Sequence, residues 1–414
     1  MKKYSKLIIL MTVVVVSLAV YYGKASSLSK LFAQFEFITI EGDEAALDPL
    51  IIKGDHYTSY FDYEQFTLTK DKVHYERDNN LFERLDDIYL SQKVAKLQKE
   101  NRNFMRMKDF DPDSYTRVGD TVIYATVPST RWGVAKGYIQ VERYDQKTKE
   151  TKENHIQTDE LMEYASIIGL FVRDDHLYIV VSSEEYDAPA EVDKGAFHIF
   201  NYDLANESLV DTYEIDLAKV DYYNQMIEVF VDQEENPNEL VVVSSIFEYD
   251  DTAVSDEEDA QTSQEEFELE RPKITTIEKI NLQTGERTQT KFTSELENSL
   301  PLAYDGKELI ILTTADNGRL TFSSYDLSTN KTQEKFTTET ELKMNAIGDF
   351  SNKVIADDKV YMVMNDEEEN RAQVIVIDIA AKSLLYRGLV ESETSDLLPH
   401  DNSDVYFHTL EIVE

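Results

Sequence analysis

Apolar residues recur along this chain in short runs of similar form. Each run begins with a polar turn of Asp, Asn or Gly and continues as a stretch rich in β-branched and aromatic residues. The clearest copies are "VGDTVIYATVP" (118–128), "DDHLYIVVSSE" (174–184), "DGKELIILTTAD" (305–316) and "DDKVYMVMNDE" (357–367). Such residues favour extended strands, whose side chains alternate between the two faces of a sheet. The pattern therefore predicts one type of strand that the chain forms repeatedly.

A second motif, of the form hxxYDLxT with an apolar residue at h, follows each run. Its copies are "IQVERYDQKTKE" (139–150), "FHIFNYDLANES" (197–208), "TIEKINLQTGER" (276–287), "TFSSYDLSTNKT" (321–332) and "VIVIDIAAKSLL" (374–385). An Asp or Asn at the end of a strand can accept hydrogen bonds from the backbone of the following turn. We therefore interpret Asp203, Asn281, Asp326 and Asp378 as turn formers rather than metal ligands or catalytic acids.

The spacing of the leading strands predicts the fold class, which is all-β. Successive copies are separated by a drifting period of about fifty residues, which is typical of a β-propeller with four strands in each blade. The predicted starts lie near Lys72, Asp120, Asp175, Asn238, Gly306, Asp358 and Ser403. Six or seven blades are compatible with these starts, and a β-sandwich is the competing architecture. A sandwich, however, does not require a two-part motif to repeat so often.

Three segments complete the predicted organisation. Residues 35–40 form an orphan strand, which we expect to pair with the C-terminal segment and close the ring, because closure removes an exposed sheet edge. Residues 81–107 lack Gly and Pro and space apolar residues three and four apart, so they predict a helical insertion between blades. Residues 248–270 contain eleven acids and predict a flexible acidic loop within a hairpin.

The N-terminus predicts a membrane anchor. A basic start, "MKKYSK", precedes sixteen mostly apolar residues, 7–22, which as a helix would span about 24 Å. The positive-inside rule places the lysines in the cytoplasm and the body outside, as a single-pass protein. Cleavage of a signal segment near Ala25, with secretion of the body, is the alternative. The predicted domains are an anchor or signal segment (1–27), a linker (28–34) and an extracytoplasmic propeller (35–414).

Composition narrows the range of functions. The formal net charge is −40. Nucleic-acid binding requires a basic footprint, and no basic stripe interleaved with aromatic residues is evident, so no nucleic-acid partner is expected. Cysteine is absent, which excludes disulfides, thiolate metal sites and a lipidated cysteine. No HExxH, GxSxG, Walker or GxGxxG motif is present, so no catalytic residue can be assigned.

Two loops contain candidate binding residues. The loop "DFDPDSYTRVGD" (109–120) places acids at positions 1, 3, 5 and 12, the spacing of an EF-hand calcium loop, and its candidate ligands are Asp109, Asp111, Asp113 and Asp120. Ser114, however, replaces the usual Gly, and Pro112 stiffens the loop, so an ordinary turn is the alternative. No other cofactor is predicted.

The loop "PSTRWGVAKGY" (128–138) contains the only Trp of the chain. Trp and Arg concentrate binding energy at protein interfaces. We therefore take Arg131, Trp132 and Lys136 as candidate partner-binding residues, with a plain connecting loop as the alternative.

The entry segment "FITIEGDEAALDPLIIKGDHYTSY" (37–60), after an N-terminal anchor and before the hxxYDLxT repeats, resembles uncharacterised membrane-anchored extracytoplasmic β-propeller-like proteins of Gram-positive bacteria. The resemblance implies a location outside the membrane and a membrane or envelope protein as partner, such as a transport or export system. It implies no catalytic residues.

Two functions remain open from the sequence. The first is a non-enzymatic binding or scaffold module that a membrane tether holds close to its partner, so that a weak interface suffices. The alternative is a carboxylate-dependent hydrolase or lyase that acts on extracellular or wall glycan at the propeller funnel. Convergent acids with tyrosines at the funnel would favour the enzyme.

Overall fold

The computed structural model describes most of the chain from residue 34 onward. The described residues are 11–12, 16–17, 34–59, 62–76, 91–130, 134–187, 192–215, 225–231, 239–247, 272–282, 284–291, 299–314, 319–339, 352–366, 371–392 and 404–412. The predicted anchor, 7–22, lies almost entirely outside them. Within the described part of the chain, no helix combines the length and apolar character needed to cross a bilayer.

The strands form six antiparallel sheets, here named I to VI in chain order. Sheet I contains β2 (Leu50–Ser59), β3 (Asp62–Thr69), β4 (Lys72–Tyr75) and β25 (Asp404–Ile412). Sheet II contains β5 (Tyr115–Val118), β6 (Thr121–Thr126), β7 (Tyr138–Asp145) and β8 (Thr151–Gln157). Sheet III contains β9 (Tyr164–Arg173), β10 (His176–Asp187), β11 (Val192–Asp203) and β12 (Ser208–Ile215).

The remaining three sheets follow the same order. Sheet IV contains β13 (Gln225–Val231), β14 (Glu239–Phe247), β15 (Pro272–Asn281) and β16 (Arg287–Lys291). Sheet V contains β17 (Ser299–Tyr304), β18 (Glu308–Thr314), β19 (Arg319–Asp326) and β20 (Lys331–Glu339). Sheet VI contains β21 (Lys353–Ala356), β22 (Lys359–Asp366), β23 (Arg371–Asp378), β24 (Ser383–Ser392) and, as a fifth strand, β1 (Phe35–Gly42).

Sheets II to VI pack face to face in chain order, and sheet VI packs on sheet I. The second strand of a sheet is buried on both sides: Val180 of β10 packs with Val242 of β14, and Val243 of β14 packs with Ile311 of β18. One apolar cluster joins sheets VI and I. Because a strand buried on both faces needs apolar residues at every position, the repeated run reads as nearly continuous. Closure of the ring gives the β-propeller that the period predicted, rather than a sandwich.

Six blades are present where seven starts were predicted. Five of the predicted starts precede second strands, β6, β10, β14, β18 and β22. The other two, near Lys72 and Ser403, precede β4 and β25, which belong to one and the same sheet. Of the two predicted counts, six or seven, the described residues form six, and the sequence pattern could not reveal that its first and last copies share a sheet.

Both ends of the chain take part in closing the ring. The predicted pairing of residues 35–40 is confirmed: β1 pairs with β24, with Phe35 opposite Ser392. In addition, β25 pairs with β2 of sheet I, with His56 opposite Val405. The two terminal strands therefore complete two neighbouring sheets, whereas the sequence suggested that they share one.

The second motif forms a tight turn after the third strand of sheets II to VI. Asp203 Oδ1 accepts hydrogen bonds from the backbone N–H groups of Ala205 and Asn206, both at 2.8 Å. Equivalent bonds to turn N–H groups are accepted by Asp145, Asn281, Asp326 and Asp378. The interpretation of these residues as turn formers is confirmed.

The two motifs occur together because their turns bond to each other. The backbone N–H of Leu204, just after Asp203, donates to the carbonyl of Asp175 in the preceding hairpin at 2.9 Å. Ile379 makes the same bond to Asp358 at 2.8 Å. The turn between the first and second strands thus supplies the carbonyl that accepts a hydrogen bond from the turn between the third and fourth strands. The two turn motifs therefore stabilise each other within one sheet.

The helical insertion is confirmed in its C-terminal part. Helices α1 (Gln92–Glu100) and α2 (Arg102–Met105) follow one another. Their apolar side chains pack on the outer face of sheet II, in a cluster whose members are Val94, Leu97, Phe104, Met105, Tyr115, Val122, Tyr124 and Tyr144. Residues 81–90 lie outside the described residues.

The acidic segment, 248–270, also lies outside the described residues. It connects β14 to β15, which pair up to Phe247 opposite Pro272. Its predicted place within a hairpin is therefore confirmed by its flanking strands.

Candidate functional site

The first strands of the sheets converge on one another. β5 contacts β9, β13 contacts β17, and β21 contacts β25. In a propeller these strands surround the central axis. The most connected charged residue there is Lys353, the first residue of β21.

Lys353 links three sheets in one contact, here called the three-sheet contact. Its Nζ lies 2.6 Å from Oε1 and 2.5 Å from Oε2 of Glu228 on β13. The same ammonium donates to the backbone carbonyl of Pro301 on β17. It also lies 5.9 Å from the centroid of the Phe230 ring. Sheets IV, V and VI are thereby joined through one side chain.

The three-sheet contact is largely shielded from water. The side chains of Lys353 and Glu228 are only 13% and 17% exposed. Burial lowers the pKa of Lys353, and the Glu228 carboxylate opposes that shift. Burial likewise raises the pKa of Glu228, and the Lys353 ammonium opposes it. Each ion is therefore kept charged mainly by its partner.

This arrangement leaves little capacity for acid–base chemistry. An ammonium has three N–H donors, and the two Glu228 oxygens and the Pro301 carbonyl supply three acceptors. A catalytic carboxylate in glycoside hydrolysis has to face a second carboxyl group across the substrate. Within the described residues, no group of three or more His, Asp or Glu is placed to hold a metal ion. The contact therefore positions sheets rather than reacting groups.

A second polar junction ties sheet VI to sheet I. The side-chain amides of Asn352 and Asn365 donate to the carbonyl of Phe407 on β25, at 2.9 and 2.8 Å. The Asn365 Oδ1 in turn accepts from the Phe407 N–H at 3.3 Å. A side chain of sheet VI thus bonds β25 as a neighbouring strand would, which fixes the C-terminal strand against both sheets.

A buried histidine lies at the interface of sheets II and III. His198 is 5% exposed in its side chain, and its Nε2 lies 3.6 Å from Oε2 of Glu160. Burial lowers the pKa of His198, while the charges of Glu160 and Glu214 act in the opposite direction. A neutral imidazole is favoured, so we treat this residue as part of the packed interior.

Three of the four calcium candidates, Asp109, Asp111 and Asp120, use their side chains in local contacts. Asp109 Oδ1 accepts from the Phe110 N–H at 2.7 Å, and Asp111 Oδ1 accepts from the Asp113 N–H at 2.9 Å. Asp120 forms an ion pair with Lys147 of the next hairpin. Pro112–Ser114 forms a short 3-10 turn, and Tyr115–Val118 is already strand β5. Calcium binding by this loop stays a prediction.

Residues of the Trp loop are described only in part. Arg131 and Trp132 lie outside the described residues. The loop is closed by a bridge between Ser129 and Ala135, and by a hydrogen bond from the Lys136 N–H to the Pro128 carbonyl at 3.0 Å. The Lys136 side chain is exposed. A role for this loop in partner binding stays a prediction.

Sequence reasoning missed both the three-sheet contact and a basic stripe on the insertion. Glu228 is a lone acid in an apolar strand, "QMIEVFV", which is a usable signal of a buried charge. From α1 to the residue after α2, cationic residues recur every three or four positions. The sequence had been searched only for a basic stripe interleaved with aromatic residues, and the absence of a nucleic-acid partner stays a prediction. The overall charge of −40 obscured this local excess.

No protein-family model and no curated protein sequence matches the chain. Solved structures share a general similarity. A lignostilbene dioxygenase from Pseudomonas brassicacearum is 10% identical, with a TM-score of 0.40 over 86% of this chain and 92% of the other. A putative 6-phosphogluconolactonase from Bacteroides fragilis is 9% identical, with a TM-score of 0.35 over 90% and 100% of the two chains.

The β-propeller domain of the trilobed protease from Pyrococcus furiosus is 12% identical, with a TM-score of 0.34 over 84% of this chain and 82% of the other. Similarities of this size carry no argument about activity. The class of this chain, a six-bladed β-propeller, therefore rests on its own sheet order, packing and closure.

Proposed function

We propose that the chain is a non-enzymatic binding or scaffold module, tethered to the cell membrane by its N-terminal segment with the propeller outside. In this proposal the propeller presents its loops to a membrane or envelope protein, such as a transport or export system. The single-pass anchor, and the alternative of secretion after cleavage near Ala25, rest on the sequence pattern of residues 1–27.

One observation carries the proposal. Where sheets IV, V and VI meet, the carboxylate of Glu228 is held in a largely buried ion pair by the ammonium of Lys353. A hydrolase or lyase of the predicted type needs two carboxyl groups that can exchange protons with a substrate. A closed ion pair at the convergence of the blades favours a rigid platform over a reaction centre.

The proposal is tested by site-specific crosslinking of the full chain in intact cells. Because the chain lacks cysteine, Lys136→Cys provides a single attachment point for a photoreactive group beside the Trp loop. The same group at Val210, which is 54% exposed on β12 of sheet III, serves as the control. We expect Lys136→Cys to capture a specific membrane or envelope protein, and Trp132→Ala to reduce that capture.

The outcome that overturns the proposal is equally definite. If no membrane or envelope protein is captured above the background at Val210, the proposed interaction with such a partner is refuted. Release of soluble sugar fragments from purified envelope glycan by the full chain would establish the hydrolase or lyase instead.

A further inference from the structure

The helical insertion reverses the charge of the protein locally. Residues 92–108 contain six cations and one acid, in a chain with 81 acids and 41 basic residues. Five of the cations, spaced three or four residues apart from α1 to the residue after α2, form the basic stripe, and its members are Lys93, Lys96, Lys99, Arg102 and Arg106. At this spacing the three lysines lie on one face of α1, and all five side chains are exposed.

The insertion is held rigidly with this face outward. On the inner side, Lys108 Nζ lies 2.7 Å from Oε1 of Glu142 on β7, and these side chains are only 9% and 13% exposed. The same ammonium lies 4.5 Å from the centroid of the Phe104 ring and 4.8 Å from that of Tyr124. One cation therefore fixes the helices to sheet II, while Lys99, Arg102 and Arg106 stay exposed.

Three cations of the stripe have no acidic partner in the described part of the chain. Lys99, Arg102 and Arg106 form no ion pair there, although the protein has a twofold excess of acids. Glu100, the one acid of the segment, lies 3.8 Å from Arg117 instead. Elsewhere basic side chains are often neutralised, as Lys279 is by Glu239. These three cations therefore carry positive charge that no acid of the described residues pairs with.

A cavity of about 440 Å³ opens beside the stripe. Its wall is formed by Lys99, Glu100, Asn101, Arg102, Asn103, Phe104, Tyr144, Lys149 and Thr151. Asn101 is 4% exposed, and neither atom of its side-chain amide has a hydrogen-bond partner. Three cations and amide donors around one space suit an anionic, phosphate-sized group.

Apolar side chains project next to the same cations. Met107 is 97% exposed and has a positive φ of 68°. Phe110, three residues later, is 46% exposed. A non-glycine residue in the left-handed region is uncommon and costs conformational energy. Soluble phosphate or a polyanion would make no use of these apolar groups, whereas the boundary between headgroups and acyl chains would bury them.

We propose that this surface, residues 99–110, docks the propeller on a bilayer that contains anionic phospholipid. Lys99, Arg102 and Arg106 face the headgroups, the cavity beside Asn101 takes a headgroup phosphate, and Met107 and Phe110 enter the interface. The acidic remainder of the protein is repelled by such a surface, so the charge distribution also orients the domain. The docking surface goes beyond the proposed function and does not depend on the anchor.

The test uses the full chain with a reporter on the proposed surface. Met107→Cys, labelled with an environment-sensitive fluorophore, is compared with the same label at Val210, an exposed apolar residue of sheet III. Vesicles contain phosphatidylcholine alone or with about 30% phosphatidylglycerol. We expect a blue shift at position 107 only with phosphatidylglycerol, and none at position 210.

Matched charge variants measure the contribution of the stripe. Neutralising Lys99, Arg102 and Arg106 to Gln should lower the docking constant about 100-fold, from roughly a factor of five for each cation near an anionic surface. The control neutralises three exposed lysines outside the insertion, Lys72→Gln, Lys147→Gln and Lys331→Gln, which gives the same net charge and should leave docking unchanged. Circular dichroism confirms that each variant is folded.

Three results would overturn the docking surface. The first is an equal fluorescence shift at position 107 with and without phosphatidylglycerol, and the second is an equal loss of docking affinity in both triple variants. The third is a fluorescence response to millimolar inorganic phosphate as large as the response to vesicles, which would identify a soluble phosphate ligand. Resistance of the full chain to alkaline extraction is measured separately. If alkali extracts the full chain from membranes, the proposed membrane tether is refuted. The fluorescence result at position 107 decides the docking surface in either case.

Discussion

The three-sheet contact makes the sharpest prediction about stability. Replacing Lys353 with Met removes the ammonium and leaves the Glu228 carboxylate buried with only 17% of its side chain exposed. Breaking a buried ion pair from one side typically costs about 3–5 kcal/mol, because the remaining charge is uncompensated. Replacing Glu228 with Met should have a similar effect through Lys353.

The geometry of the pair explains the magnitude. Unit charges 2.6 Å apart attract by about 6 kcal/mol at an effective dielectric constant of about 20. Desolvation of the two ions costs several kcal/mol each and offsets most of that attraction. The intact pair therefore adds little net stability, whereas either single variant keeps a desolvation cost without the attraction. The double variant, with two apolar side chains, should lie within about 1–2 kcal/mol of the parent.

The assay is urea denaturation of the parent chain, the two single variants and the double variant, which together form a double-mutant cycle. Unfolding is followed by tryptophan fluorescence and circular dichroism. A control variant, Lys147→Met, removes an ion pair with Asp120 whose side chains are 75% and 50% exposed. Its denaturation midpoint should match that of the parent, since exposed pairs contribute little. Single variants as stable as the parent, or effects that simply add in the double variant, would refute the reasoning.

Three further predictions concern the repeats and the ring closure. Gly42 has a φ of +93°, and an added Cβ would lie 2.1 Å from the Leu385 carbonyl oxygen. Gly42→Ala should therefore destabilise the protein by at least about 1–3 kcal/mol and speed hydrogen exchange in β1. Asn365→Ala should cost about 1–3 kcal/mol in urea denaturation, because the Phe407 backbone groups lose a bonded partner. Turn hydrogen bonds lower the pKa of Asp326 from 3.8 to about 2, so its stabilising contribution is complete above pH 3.8 and disappears as the pH falls towards 2. Asp326→Asn should keep the turn, and the thermal-midpoint difference from the parent should shrink between pH 5 and pH 2; a constant difference would contradict this assignment.

The strands that sequence reasoning located best are the second and third strands of sheets II to VI. β10 and β11 carry the two motifs, and a strand buried on both faces must be apolar at nearly every position. The first strands were harder to find. β21 has only four residues, "KVIA", and its central role comes from contacts with β13 and β17 rather than from its own pattern.

The candidate site was predictable only in part. Lys353 and Glu228 are separated by 125 residues, and no motif connects them. Acids are so abundant that one carboxylate cannot be singled out by residue type. The basic stripe was missed, but it could have been found from the sequence, because its spacing of three and four matches the helix predicted for residues 81–107.

The sequence by itself determined the repeated pair of turn motifs and the apolar strands that are buried on both faces. Backbone turns and strand burial depend on residues that lie close together along the chain. Local chemistry of this kind determined that the protein builds similar four-stranded sheets one after another. Only the tertiary structure decided that there are six, that β1 and β25 complete different sheets, and that Lys353 meets Glu228. These outcomes depend on which distant surfaces exclude water together, and such pairings leave no periodic trace in a single chain.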